Sequence, residues 1–277
     1  VEGSGTETDL LGVALAAARA GASVVLRHHE AGARIPYEAK ARHDYVTAVD
    51  REAEEAIVRR IRESFPEHAI LAEEAGGAVE GRGHQWIIDP LDGTTNFIHG
   101  FPVFAVSVAA ARIEGRGDGP PRPSEIVAGV VVDPLRGESF SATRGGGAFL
   151  NGERIRVSEA GDLDACLLST GFPFRAQQLL PAYLAIFAEL HGMTQGIRRP
   201  GAAALDLAAV ACGRNDGFFE FGLSPWDMAA GALLIEEAGG IAREFRGGDD
   251  YLRTGHIVAG SRAVTERILE VIARHYP

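Results

Sequence analysis

Positive charge is scarce in this chain. Lys40 is its one lysine, and 27 Lys and Arg face 38 Asp and Glu, a formal net charge of -11. That balance argues against nucleic acid or an anionic membrane surface as the main partner, because both are held by clustered cations. Cysteine is scarce too. Cys166 and Cys212 sit in apolar surroundings without CxxC spacing, which reads as two small core side chains in a reducing compartment, not a disulfide, zinc site or nucleophile. Val1 to Asp9 lacks the basic and apolar stretches of a secretion signal. Apolar runs are broken by charge or glycine before the ~20 residues a membrane span needs, so a cytoplasmic protein is expected. No Ser/His/Asp or Cys/His arrangement is evident. Gly145-Gly146-Gly147 lacks the strand-GxGxxG-helix context of a dinucleotide site and reads as a hairpin turn. His28-His29 reads as solvated charge at a helix C-terminus, and His84 and His99 have no spaced partners.

What is present is ordinary globular material: 277 residues, 46% hydrophobic, enough for one sizeable core or two closely joined halves. Helical spacing of apolar residues marks 6–30 and 50–64, and β-like runs mark 69–72, 85–89, 103–113 and 125–133. The Gly- and Pro-rich stretch 115–123 reads as a polar hairpin loop, and Asn151-Gly152 as a tight turn. Thereafter strands (166–170, 216–220, 241–245, 256–260) mix with helices (178–191, 202–212, 226–238, 262–274), which suggests helices packed on sheet faces. An α+β half, 1–155, is therefore expected to join an α/β half, 156–277, in one compact unit with its active site between them.

The sharpest local feature is Trp86-Ile87-Ile88-Asp89-Pro90-Leu91-Asp92-Gly93-Thr94-Thr95. An apolar strand ends at Asp89, Pro90 keeps Asp89 extended, Asp92-Gly93 makes a turn, and Thr94 is placed to begin a short helix. Two carboxylates thus project beside free backbone N–H groups, which suit phosphate. Each such aspartate alone is equally well an ordinary turn former. Three further acidic sites alter that balance. Asp44 and Asp50 flank a strand-to-helix junction, where Asp50 alone would read as an N-cap. Glu73-Glu74 ends the strand Ile70-Leu71-Ala72, and Asp227 lies in the first turn of an apolar helix after Ser224-Pro225-Trp226, a favourable dipole position. Four acidic sites at the edges of apolar elements exceed what capping and turn chemistry explain.

DYVTAVD, ILAEE, WIIDPLDGTTNFIHGFPVFAVSVA, PGAAALDLAAVACGRNDGFFE and SPWDMAAGALLIEEAGG, in that order from about residue 40 to the last helix, closely resemble the inositol monophosphatase family. The continuation GTTNFIHGFP is similar to that branch rather than to the nucleotide phosphatases of the superfamily. The resemblance implies a layered αβαβα sandwich of the α+β / α/β sugar-phosphatase type. It implies a homodimer, lithium sensitivity, and two to three Mg2+ per active site. Glu73, Asp89 and the Leu91 carbonyl would hold one ion and Asp89, Asp92 and Asp227 a second, with a third near Glu73. Asp50 and Thr94 would orient and deprotonate the attacking water. The substrate would meet Leu91, Asp92, Gly93, Thr94, Gly201, Ala202, Ala203, Glu220 and Asp227, its phosphate on the N–H groups of Gly93 and Thr94 and its hydroxyls on Glu220. Two positions depart from the family pattern. Ala202 replaces a Ser or Thr, and Arg199 stands where Ser is frequent.

Physical chemistry favours the same reading. Two carboxylates ~4 Å apart repel by roughly 4 kcal/mol at an effective dielectric of 20, so protons or divalent cations must offset them. Oxygen ligands without His or Cys favour Mg2+ over zinc, and bound Mg2+ would draw an anion into an acidic protein. The expected activity is in-line hydrolysis of inositol 1-phosphate or a similar small polyol or sugar phosphate by a metal-activated water. Fructose 1,6-bisphosphate, histidinol phosphate and nucleotide phosphates are the alternative substrates. A regulatory, partner-binding protein that retains the fold is the alternative class. Arg199 reads either as a surface or subunit-interface arginine, the favoured assignment from the usual exposure of arginine, or as a contact to a second anionic group.

Overall fold

Residues 3–32, 36–41, 44–75, 77–79, 83–114 and 122–276 are described by the structure, a computed structural model. Helix α1 (Gly3–Glu30) precedes a hairpin, β1 (Tyr37–Ala41) with β2 (Asp44–Thr47), and α2 (Ala48–Ser64). Next come β3 (Ala69–Ala72), β4 (Gly77–Val79), β5 (His84–Asp92), the one-turn α3 (Thr94–Ile98), β6 (Ala105–Glu114) and β7 (Arg122–Asp133). They are followed by β8 (Glu138–Thr143), β9 (Gly147–Leu150), β10 (Glu153–Arg154) and β11 (Leu167–Thr170). The remainder is α4 (Leu180–Met193), β12 (Gly196–Arg198), α5 (Ala203–Ala211), β13 (Gly217–Glu220), α6 (Pro225–Glu237), β14 (Ile241–Arg243), α7 (Tyr251–Thr254), β15 (Ile257–Gly260) and α8 (Arg262–His275).

Strand period explains the layering. Along β6, Val106, Val108 and Ala110 belong to one buried cluster with α1 and α2. Ala105, Ala109 and Ala111 between them belong to another with α5 and α6. A sheet buried on both faces reads as a near-continuous apolar run, and β6 does so. The eight-stranded sheet runs β10-β9-β8-β7-β6-β5-β3-β4 and the five-stranded sheet β12-β11-β13-β15-β14. Helices α5 and α6 lie between the two sheets, and α4 and α8 cover the outer face of the smaller one. The result is the expected α+β sandwich with an αβαβα order of layers.

Several expectations need correction. Pro90 does not end its strand: β5 continues to Asp92 through a register shift against β6 between Asp89 and Asp92, and a bulge is where a strand tolerates proline. The cap of α2 is Thr47, with Asp50 as the reciprocal member of a capping box. Apolar length was also underestimated, because Asp9–Glu30 is long and apolar enough to cross a membrane, at a mean hydropathy of 1.6. That helix instead buries Leu10, Ala14, Ala17, Ala18 and Val25 in the first core cluster. His28 pairs with Glu52 of α2, Nε2 to Oε2 at 2.7 Å, and the His84 ring lies 5.3 Å from that of His68. Both cysteines are free, as expected. Gly145 to Gly147 connects β8 to β9, and Asn151-Gly152, both at positive φ, turns β9 into β10. Most of the loop expected over 115–123 lies outside the described residues.

The two middle helices touch closely because Gly231 has no side chain. A Cβ there would meet Leu207 Cβ at 2.5 Å and Leu207 Cδ1 at 2.7 Å. Gly231→Ala is expected to cost about 1–3 kcal/mol through overpacking, read as a lowered urea midpoint at unchanged m-value. A change within 0.3 kcal/mol would contradict this account of the interface.

Candidate active site

Among the described residues, parallel strand pairs are β3 with β5, and β11 with both β12 and β13. The carboxyl ends of parallel strands leave a crevice where ligands bind. Here Glu73 follows β3, Asp89, Leu91 and Asp92 close β5, Gly171 follows β11, and Glu220 ends β13. The N-termini of α3, α5 and α6 supply Thr94, Ala203 and Asp227. These residues line one cleft of about 830 Å³ together with Gly93, Gly201 and Ala202. The structure thus brings together every site residue read from the sequence; Asp50 lies just behind the wall, fully buried. The side chain of Asp44 lies outside the described residues.

Asp89, Asp92 and Asp227 bring carboxylate oxygens within 4.8 Å of one another, and all three are buried. A backbone N–H fixes each one. Leu91 N–H donates to Asp89 Oδ1 at 3.0 Å, Ala204 N–H donates to Asp92 Oδ2 at 2.8 Å, and Ser224 N–H donates to Asp227 Oδ2 at 2.7 Å within a capping box. Burial, then Glu73, Asp92 and Asp227, push the Asp89 carboxyl well above its usual range. Burial and Asp227 push Asp92 up to about 8. Burial raises Asp227 as well, opposed chiefly by Arg175. Three crowded, oxygen-only donors at such a cost fit a hard divalent cation such as Mg2+.

These shifts set a pH dependence. The folded protein keeps a proton on Asp92 up to about pH 8, whereas the unfolded chain releases it near 3.8. Metal-free stability therefore falls as pH rises through that interval. His68 opposes the trend only below its ordinary 6.5, since burial lowers it to about 4. Between pH 6.5 and 8 the chelated protein is expected to lose about 4–8 °C in Tm, on the order of 2 kcal/mol for one proton. Saturating Mg2+ should remove the share of the slope that comes from Asp92. A flat profile in chelator would contradict the raised carboxyls.

Thr94 Oγ1 lies 3.0 Å from both Asp50 Oδ1 and the Leu91 carbonyl oxygen, and its single proton can serve either. The other Asp50 oxygen accepts from Thr47 N–H at 2.9 Å and Thr47 Oγ1 at 2.5 Å. Burial raises the Asp50 carboxyl while these bonds hold it down. Gly93 caps α3 at φ 89, and a Cβ there would lie 2.9 Å from the Val103 carbonyl oxygen, so glycine is what lets the turn close.

At the opposite end, burial and then Asp206 and Asp227 raise Glu220 well above its ordinary value. A Cβ on Gly171 would fall within 2.3 Å of the Glu220 carboxyl carbon and both its oxygens, so Gly171 is what admits that carboxylate. Arg199 is at the surface, as the favoured reading has it, and the cleft adds a second feature. It is exposed but lines the cleft, its Cζ 5.4 Å from the Phe172 ring centroid and 5.2 Å from that of Phe174.

Sequence reasoning missed Arg175, whose Nη1 donates to Asp227 Oδ2 at 3.0 Å and whose Nη2 lies 3.8 Å from Glu73 Oε1. The available signal was its place just after β11, at the edge that carries the carboxylates. Asn96 was missed as well. Its Nδ2 lies 2.8 Å from the Val103 carbonyl and 2.9 Å from the Pro200 carbonyl, tying α3 to the segment before Gly201.

A five-layered α+β sandwich with a carboxylate cluster at the ends of its parallel strands defines the sugar-phosphatase class of fold. Residues 7–276 match the inositol monophosphatase family, and the chain belongs to that family. It is 50% identical over 273 residues to the Nus factor SuhB of Pseudomonas aeruginosa, covering 97% of each chain. The crystal structure of the extragenic suppressor protein suhB from Bartonella henselae superposes with a TM-score of 0.87 at 39% identity, covering 95% of this chain and 98% of that one. Inositol monophosphatase from Anabaena (Nostoc) sp. PCC 7120 superposes with a TM-score of 0.82 at 37% identity, covering 98% and 97%.

Proposed function

We propose that the protein is a Mg2+-dependent phosphomonoesterase acting on inositol 1-phosphate or a similar small polyol phosphate. The observation that carries this reading is the buried cluster of Asp89, Asp92 and Asp227 with Thr94 and Asp50 beside it. Glu73, Asp89, the Leu91 carbonyl, Asp92 and Asp227 would hold two to three ions, Asp89 shared between two of them. When bound, Mg2+ supplies Lewis acidity toward phosphate oxygens and makes a nearby water more acidic. Asp50 accepts the proton of the attacking water through the Thr94 hydroxyl. The N–H groups of Gly93 and Thr94, at a helix start, receive phosphate oxygens. Glu220, with the backbone of Gly201 to Ala203, holds the alcohol. A lithium-sensitive, cytoplasmic homodimer belongs to the same reading.

The test is kcat/KM on a panel of phosphate esters with Mg2+ and with chelator. Turnover that needs Mg2+ and favours inositol 1-phosphate is expected; faster turnover of fructose 1,6-bisphosphate would move the assignment to another branch. A second reading rests on the relatives named Nus factor SuhB, which are as long as this chain and half identical to it. On that reading the chain works as a Nus factor through a partner, with or without hydrolysis. A hydrolysis-dead variant that retains full function in the cell would favour it.

A further inference from the structure

The carboxylate cluster carries a resident cation of its own. Arg175 sits on the loop after β11, where Ala176 is buried and lies against Gly222. Its Nη1 bonds Asp227 Oδ2 at 3.0 Å and lies 3.2 Å from Ser224 Oγ, and its Nη2 lies 3.8 Å from Glu73 Oε1. The guanidinium therefore spans the cleft from the end of β3 to the start of α6. The two carboxylates it joins are only 11% and 9% exposed, while the arginine side chain is 42% exposed. The carboxylates are buried in the fold and the guanidinium reaches solvent. Arginine cannot shed its charge, so it offsets the carboxylates at every working pH.

We propose that Arg175 is a built-in counter-cation that competes with the divalent ion for Glu73 and Asp227. The inference rests on the metal-binding reading of the cluster. In the metal-free protein the guanidinium relieves part of the repulsion among the carboxylates and bridges the two sides of the cleft. A divalent ion bound to the same oxygens meets a positive charge a few ångströms away, and Asp227 Oδ2 already accepts from both Ser224 N–H and Arg175. Loading therefore requires the arginine to give up these oxygens, and its presence weakens the site. Screening by water limits the effect, which is set at about 5–20-fold in affinity.

The experiment compares wild type, R175Q and R175K by calorimetric titration with MgCl2. Melting curves in chelator and across a Mg2+ series supply a second readout if a variant is too scarce for calorimetry. R175Q is expected to bind Mg2+ about 5–20-fold more tightly, R175K to stay near wild type, and R175Q in chelator to melt below wild type. Mg2+ binding by R175Q that is unchanged or weaker overturns the proposal and makes Arg175 an orienter of Asp227. A wild-type protein that binds no divalent ion overturns the metal reading itself, which is a different result.

Discussion

Asp89→Asn is expected to reduce hydrolysis by about a thousandfold or more while the protein stays folded. Groups that merely orient metal ligands cost about 10–100-fold when removed, and Asp89 is the residue proposed to be shared between two ions. The substitution is chosen for what it keeps. Leu91 N–H donates to Asp89 Oδ1 at 3.0 Å, and an asparagine oxygen accepts the same bond, so the bulge that aims Leu91 and Asp92 into the cleft survives. What it removes is one charge from three carboxylates whose oxygens lie within 4.8 Å. D89N should therefore show an unusual pair of properties. In chelator at pH 8 it should melt at or above wild type, because the amide folds without the proton uptake that the buried carboxyl requires. In Mg2+ it should gain little, because the site has lost its central ligand. Ordinary misfolding lowers both melting points, so the pair separates ligand loss from damage. D89N turning over at more than a tenth of the wild-type rate would refute the shared-ligand assignment.

How much of this was open to reading depends on the range of the interaction. The carboxylates were legible because each sits at the edge of its own apolar segment, and the backbone N–H groups that hold Asp89 and Asp227 lie within three residues of them, whereas Asp92 is held by Ala204 from far along the chain. The helices and the buried strands β5, β6 and β7 were legible for the same reason. Strands β8 to β10 were not, since Ser139, Ser141, Thr143 and Gly147 carry no apolar run, and the strands take their place by pairing with neighbours already in the sheet. Arg175 and Arg199 were opaque in a different way. Their roles are set by residues from 25 positions away, in the case of Phe174 and Arg199, to 102 positions away, in the case of Glu73 and Arg175. No pattern along the chain records such a meeting. Gly171 belongs with them: its reason is Glu220, on the neighbouring strand.

Asp50→Asn is expected to lower kcat by about 10²–10⁴, the range for a general base, with KM and Mg2+ affinity close to wild type. Asp50 makes no contribution to the cluster of three aspartates, and it stands behind the cleft wall, so neither ion nor substrate should register its loss. The hydrogen bonds decide how the variant fails. Thr47 N–H and Thr47 Oγ1 both donate to Oδ2, so the asparagine oxygen settles on that side and retains the capping arrangement. The amide nitrogen then faces Thr94 Oγ1, which in the native protein can donate to Oδ1. An amide donates where the carboxylate accepted, so the threonine hydroxyl must turn round and the path for the water's proton is reversed. Helix stability should fall by only about 1 kcal/mol or less, because asparagine serves nearly as well beside a cap. The pH profile supplies the discriminating readout. Burial raises the native carboxyl above its ordinary 3.8, so kcat/KM of the wild type should fall on the acid side as Asp50 is protonated, and D50N should lack that limb. Thr94→Ser keeps the hydroxyl and should stay within about tenfold of wild type, whereas Thr94→Val should approach D50N. A D50N enzyme with wild-type kcat and an intact acid limb would assign the base to another group and leave Asp50 as a helix residue.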